Sequence, residues 1–132
     1  MPPSRPSRYD QENELNFHIQ DEEIDDQTHV IELGGEIDLY TAPEFKERMV
    51  QLIDGGKKEI VVDLTQATFI DSTTLGVLVG GVKRLRPAGG SLTLVCTDEN
   101  ITKIFEITGL DRVFPIHPTR EAALGSLEPG TG

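Results

Sequence analysis

Residues 59–86, EIVVDLTQATFIDSTTLGVLVGGVKRLR, contain the pattern that decides the fold of this chain. The segment begins with EIVVDL, a continuous apolar run that is typical of a central strand covered on both faces. It ends with TLGVLVGGVKRLR, in which Leu75, Leu78, Val82 and Leu85 recur three or four positions apart, as on the buried side of a helix. A strand that passes directly into a helix predicts one unit of an α/β protein.

The segments on either side continue this alternation. Upstream, LNFHI and THVIELGGEI predict a β-hairpin, with the acidic run DEEIDD (residues 21–26) as a solvated loop at its tip. The segment TAPEFKERMVQLI then predicts a helix that begins with a capping box formed by Thr41 and Glu44. Downstream, SLTLVC, NITKIFEIT, VFPI and TREAALGSL predict strand, helix, strand and helix. The order ββαβαβαβα predicts an α/β fold with a mixed, mostly parallel sheet, an N-terminal β-hairpin and four helices.

Length and composition predict one domain with protein or small-molecule partners. The 132 residues suffice for a single core, and residues 1–13 and 128–132 are predicted to be flexible tails around a folded domain at 14–127. A formal net charge of −11 disfavours nucleic acid and anionic membrane surfaces. We expect a cytoplasmic protein, because we find no apolar core of a signal peptide and no run long enough to span a membrane. The single cysteine, Cys96, cannot form an internal disulfide and fits a small buried hydrophobe.

A cluster of polar residues stands where the strand passes into the helix. Asp71 is followed by the hydroxyl residues Ser72, Thr73 and Thr74. Capping of the helix accounts for the cluster about as well as a functional role does, since each of these residue types can accept a hydrogen bond from a free N–H of the first turn. Because parallel strands end at a common edge of the sheet, Asp38, in GEIDLYTAP, should share a surface with Asp71 and Ser72.

The residue patterns do not favour catalysis or cofactor binding. Ser72 lacks the G-x-S-x-G turn of a nucleophilic serine, and the histidines occupy scattered positions: His18, His29 and His117. The helix contains three glycines without a phosphate-binding signature, which we assign to close packing on the sheet: Gly76, Gly80 and Gly81. The acidic run lacks the spacing and glycine of a calcium loop. We therefore predict no cofactor and no metal.

Four segments resemble consecutive parts of STAS domains, specifically those of bacterial anti-sigma factor antagonists: GGEIDLYTAPEF, VVDLTQATFIDSTTLGVLVG, GGSLTLVC and ITKIFEITGLDRVFPI. The resemblance covers about residues 14–127. It implies that Ser72 is phosphorylated by an anti-sigma factor that is also a serine kinase, with a serine phosphatase as its counterpart. It also implies that the unphosphorylated chain binds the kinase and frees a sigma factor, whereas the phosphorylated chain does not. A switchable binding module of this kind is not an enzyme, and we expect it to be a monomer when free.

The resemblance also assigns the residues that bind the partner, which are Asp38, Asp71, Ser72, Thr73 and Thr74. Thr74 stands where the family usually has glycine, so that Thr73 and Thr74 become minor candidates for phosphorylation beside Ser72. Two alternatives stay open: a ligand- or nucleotide-sensing STAS module that holds an anion at the helix N-terminus, and a serine-dependent hydrolase.

Overall fold

The computed structural model of the chain describes residues 17–127, so that both predicted tails and Leu15 of the first predicted strand lie outside the described residues. Residues 17–127 form five strands and four α-helices in the order ββαβαβαβα. The strands are β1 (Phe17–Glu23), β2 (Thr28–Ile37), β3 (Glu59–Ile70), β4 (Ser91–Val95) and β5 (Ile116–His117). The helices are α1 (Ala42–Asp54), α2 (Ser72–Leu85), α3 (Glu99–Thr108) and α4 (Arg120–Ser126), with short 3-10 turns at Arg86–Ala88 and Leu110–Arg112.

The strands form a single sheet in which spatial order follows chain order, β1-β2-β3-β4-β5. β1 pairs antiparallel with β2, whereas β2, β3, β4 and β5 run parallel. Each connection between parallel strands leads to the adjacent strand, always toward the same side of the sheet. Because such crossovers are right-handed, α1, α2 and α3 lie on one face of the sheet. The predicted mixed, mostly parallel sheet with an N-terminal hairpin and four helices is confirmed.

The two faces of β3 bury different residues. Ile60, Val62 and Leu64 are buried in the main core with residues of α1, α2 and α3. Val61 belongs to a smaller apolar cluster that includes Ala123 of α4. Because successive side chains of a strand point to opposite faces, α4 covers the face opposite to the other three helices.

The hairpin differs from its prediction in the position of the acidic run. Its first three residues, Asp21–Glu23, belong to β1 rather than to a loop, because they pair with residues 29–31 of β2. The Asp21 carboxylate accepts a hydrogen bond from His29 at 2.9 Å and forms an ion pair with Arg48. The hydrogen bond from His29, with Arg48 beside it, holds the pKa of Asp21 below its usual value. Half of the acidic run therefore stabilises the sheet.

Arg120 joins α4 to three strands through carboxylates, an arrangement that the sequence did not predict. Its Nε and Nη2 atoms both lie 3.0 Å from Oδ2 of Asp63, whose side chain is 7% exposed. Its Nη1 donates to Glu22 and its Nη2 to Glu32, each at 3.0 Å. Because these partners lie on β3, β1 and β2, a single side chain ties the last helix to most of the sheet.

Candidate functional site

The ends of β2 and β3 bring two sequence-distant loops together. Ile37 and Ile70 pair across the two parallel strands, and paired strands lie about 4.8 Å apart. Asp38 directly follows β2 and Asp71 directly follows β3, so both connections leave the same edge of the sheet. We call this surface the carboxyl edge and define it by residues 38–41 and 71–73.

Asp71 is the residue that caps α2. Its side chain accepts a hydrogen bond from the backbone N–H of Thr74, with a distance of 3.1 Å from N to Oδ1. Ser72 and Thr73 are exposed, and neither hydroxyl forms a hydrogen bond to another residue in the range 17–127. The Asp71 carboxylate thus caps the helix, and the hydroxyls of Ser72 and Thr73 at the N-terminus of α2 stay accessible.

Thr74 does not belong to the accessible surface, which corrects its assignment as a partner contact and as a minor phosphorylation candidate. Its side chain is fully buried, with 0% exposure. Its Oγ1 donates a hydrogen bond to the carbonyl oxygen of Ile37 at 2.8 Å. This bond joins the first turn of α2 to the end of β2, so Thr74 fixes the two loops of the carboxyl edge against each other.

We expect Thr74→Val to destabilise the fold by about 1–3 kcal/mol. Valine keeps the shape of threonine but removes the donor, and the carbonyl of Ile37 then loses its buried side-chain partner. Urea unfolding followed by circular dichroism measures the difference. Thr73→Val, at the neighbouring exposed position, is the control and should change the free energy of unfolding by less than about 0.5 kcal/mol. Equal effects of the two variants would contradict a structural role of Thr74.

The Asp38 loop is held by its own side chains. Oδ1 of Asp38 accepts hydrogen bonds from the backbone N–H of Tyr40 at 2.9 Å and of Thr41 at 3.2 Å. Oγ1 of Thr41 in turn accepts from the backbone N–H of Asp38 at 2.8 Å. Thr41 stands at the N-cap position of α1, but its side chain makes no capping hydrogen bond. The predicted capping box is therefore wrong, because the Thr41 hydroxyl is hydrogen-bonded to Asp38 instead.

Large apolar side chains are exposed in and beside the carboxyl edge. Leu39 and Tyr40 in the Asp38 loop are 57% and 83% exposed, and Phe69, just before Asp71, is 48% exposed. Sequence analysis missed these residues as part of the site, although their places next to the strand ends could have shown them. The edge thus combines carboxylates, free hydroxyls and uncovered apolar groups, a composition that suits contact with another protein.

The residues considered for other chemistry lie apart from this edge or are buried. His18 and His29 face carboxylates of the hairpin, Glu32 at 3.2 Å and Asp21 at 2.9 Å. Cys96 is 5% exposed, as predicted. Within residues 17–127 no group of three or more His, Cys, Asp or Glu side chains is arranged to hold a metal ion. In the same range, no helix has both the length and the apolar character needed to cross a bilayer.

Comparison with known proteins places this chain in a family. The STAS domain model matches residues 18–123. The anti-sigma-B factor antagonist of Bacillus subtilis (strain 168) is 34% identical over 110 residues, which cover 83% of this chain and 97% of that protein. The anti-sigma-B factor antagonist of Staphylococcus aureus (strain NCTC 8325 / PS 47) is 33% identical over 96 residues, which cover 73% of this chain and 89% of that protein. An anti-sigma factor antagonist from Mycobacterium paratuberculosis has a crystal structure that matches with a TM-score of 0.78 and 27% identity, over 85% of this chain and 94% of that one.

The chain therefore belongs to the STAS-domain family. Its predicted resemblance to the anti-sigma factor antagonists of that family is confirmed by the names and the coverage of these relatives.

Proposed function

We propose that this protein is an anti-sigma factor antagonist whose binding is switched by phosphorylation of Ser72. In its unphosphorylated form it binds an anti-sigma factor that is also a serine kinase, and a sigma factor is released. Transfer of a phosphoryl group to Ser72 ends that binding, and a serine phosphatase restores it. The protein acts as a binding module rather than an enzyme, in the cytoplasm, where sigma factors work.

The observation that carries this proposal is the exposed hydroxyl of Ser72 at the N-terminus of α2, directly after the capping residue Asp71. A kinase can reach this hydroxyl because no described residue covers it or bonds to it. The oxygen would attack the γ-phosphorus of ATP, ADP would leave, and a base on the kinase would accept the hydroxyl proton. The relatives named anti-sigma-B factor antagonist support the class of partner.

The position also explains how phosphorylation can change binding without unfolding the protein. A phosphoserine adds about −1.5 to −2 charges and three acceptor oxygens. The N-terminus of α2 tolerates this charge because its free N–H groups and its dipole favour anions. A partner that covers the edge would instead bury the phosphate beside Asp71 and Asp38, where like charges repel and little water is left to screen them.

Asp38 has a second proposed role at this surface. One of its carboxylate oxygens, Oδ1, holds the loop through the backbone of Tyr40 and Thr41. The other oxygen, Oδ2, makes no hydrogen bond to a residue in the described part of the chain and can meet a donor on the partner. We place Asp38, Asp71, Ser72 and Thr73 in the partner-binding surface.

Phosphorylation by the anti-sigma factor tests the proposal directly. We expect the purified protein, incubated with that kinase and Mg-ATP, to gain a single phosphoryl group that peptide fragmentation maps to Ser72. Ser72→Ala should gain none, because the acceptor oxygen is gone, while Thr73→Ala should still gain one phosphoryl group, on Ser72. A phosphoryl group mapped to Thr73, or retained in Ser72→Ala, would refute the assignment.

A further inference from the structure

A groove of about 420 Å³ lies between α1 and α2 and begins beside the proposed phosphorylation site, at Thr73. Met49 and Val50 of α1 and Val77 of α2 give it apolar walls. Along α2 its lining extends from Thr73 to Arg84, eleven positions or about 16 Å at the rise of an α-helix. The groove is thus continuous with the carboxyl edge and long enough for about three turns of another helix.

Glycines on α2 keep this groove open. A Cβ atom built on Gly76 or Gly80 would have no neighbouring heavy atom within 4 Å, whereas one on Gly81 would lie 3.0 Å from Cδ1 of Leu92 and 3.2 Å from Met49. The prediction that all three glycines serve packing on the sheet therefore holds for Gly81 alone. Glycine in the interior of a helix is destabilising relative to alanine, and internal packing does not require it at Gly76 or Gly80.

The charges of the groove oppose those of the whole protein. The charged side chains that line it, Lys46 and Arg84, are both cationic, although the chain has a formal net charge of −11. Arg84 lies 3.9 Å from the exposed Asp54, and its own side chain is 51% exposed, so it stays accessible to a partner. An apolar groove flanked by two cations is complementary to an apolar segment with acidic neighbours.

We propose that the groove receives a helix of the anti-sigma factor, with its apolar side on Gly76 and Gly80 and with Asp or Glu side chains facing Lys46 and Arg84. The absence of side chains on the two glycines lets the incoming backbone approach closely, toward the lower end of the usual interhelical distances of about 8–10 Å. This inference rests on the proposed function and adds to it a second contact, along α2, that Ser72 does not provide.

Filling the groove tests the apolar part of this contact. Gly80→Leu places a side chain in the open space without a clash of its Cβ, and should weaken binding to the purified, ATP-free anti-sigma factor at least tenfold in isothermal titration calorimetry. Its melting temperature should not fall, because leucine is a better helix former than glycine. Gly125→Leu in α4 is the matched control, since its Cβ also meets no atom within 4 Å, and should bind as the wild type does.

Charge reversal tests the acidic part. Arg84→Glu should weaken binding at least tenfold and reduce its dependence on salt, whereas Lys83→Glu, one position earlier on α2 and outside the groove, should weaken it less than threefold. The two variants change the net charge equally, so equal losses would show a long-range effect and overturn the proposal. A photo-crosslinker at Val77 should attach to an acidic helical segment of the anti-sigma factor, and attachment to a basic or non-helical segment would also overturn it.

The outcomes separate this inference from the proposed function. If the wild type binds the anti-sigma factor and loses it on phosphorylation, while Gly80→Leu and Arg84→Glu behave like their controls, the groove proposal is refuted and the function stands. If Gly80→Leu alters the oligomeric state in light scattering but not the affinity, the groove joins two copies of this chain, and the proposed occupant is wrong. If the wild type neither binds the kinase nor is phosphorylated by it, both proposals are refuted.

Discussion

Ser72→Asp is expected to weaken binding to the anti-sigma factor at least 100-fold and to leave the fold intact. A loss of that size corresponds to about 2.7 kcal/mol. It would arise because the new carboxylate adjoins Asp71 on a surface that the partner covers, so that like charges lose the screening of water. The same charge lies at the N-terminus of α2, where the helix dipole favours it. The free energy of unfolding should therefore change by less than about 1 kcal/mol.

The neutral variant Ser72→Asn is the matched control, because asparagine has almost the size of aspartate but no charge. Calorimetric titration with the purified anti-sigma factor should give Ser72→Asn an affinity within about tenfold of the wild type, and urea unfolding should give all three proteins similar stability. Two results would contradict the switch: similar affinities of the aspartate and asparagine variants, or a stability loss in Ser72→Asp large enough to explain the lost binding.

The sequence sufficed to predict those features that depend on local periodicity. Apolar spacing gave the order of strands and helices, and the parallel connections implied that Asp38 and Asp71 leave the same edge, as the pairing of Ile37 with Ile70 shows. The polar cluster at Asp71–Thr74 likewise indicated a helix cap, and the structure identifies Asp71 as the capping residue, because its side chain accepts from the N–H of Thr74. These inferences worked because they need only strand and helix geometry and the direction of each connection.

Features that depend on contacts between distant residues were not predictable in this way. Nothing near Thr74 in the sequence shows that its hydroxyl reaches the carbonyl of Ile37, 37 positions away. The burial of Thr74 gives its hydroxyl a structural role, because this group joins the first turn of α2 to the end of β2. Arg120 was overlooked for the same reason, since its partners lie 57 to 98 positions earlier in the chain.

Arg120→Met is expected to lower the free energy of unfolding by about 3 kcal/mol. Methionine retains an apolar stem of similar length but removes the guanidinium, which leaves the nearly buried Asp63 without its cation and Glu32 without its closest positive charge. Stranding a buried carboxylate in this way typically costs about 3–5 kcal/mol, and the partial exposure of Arg120 places the effect at the lower end. For a domain of this size the melting temperature should fall by roughly 10 °C.

Calorimetric and urea unfolding of three proteins decide whether the ion pairs cause this loss. Arg112→Met, at an exposed position in a 3-10 turn, should stay within about 0.5 kcal/mol of the wild type. Asp63→Asn combined with Arg120→Met should be more stable than the sum of the single changes predicts, because the stranded charge is then removed together with its partner. Since α4 lies on the face of the sheet opposite to α1 and α2, folded Arg120→Met should still bind the anti-sigma factor with wild-type affinity. A stable Arg120→Met would show that Arg120 does not anchor α4, and a folded variant that no longer binds would show that Arg120 acts at the partner surface.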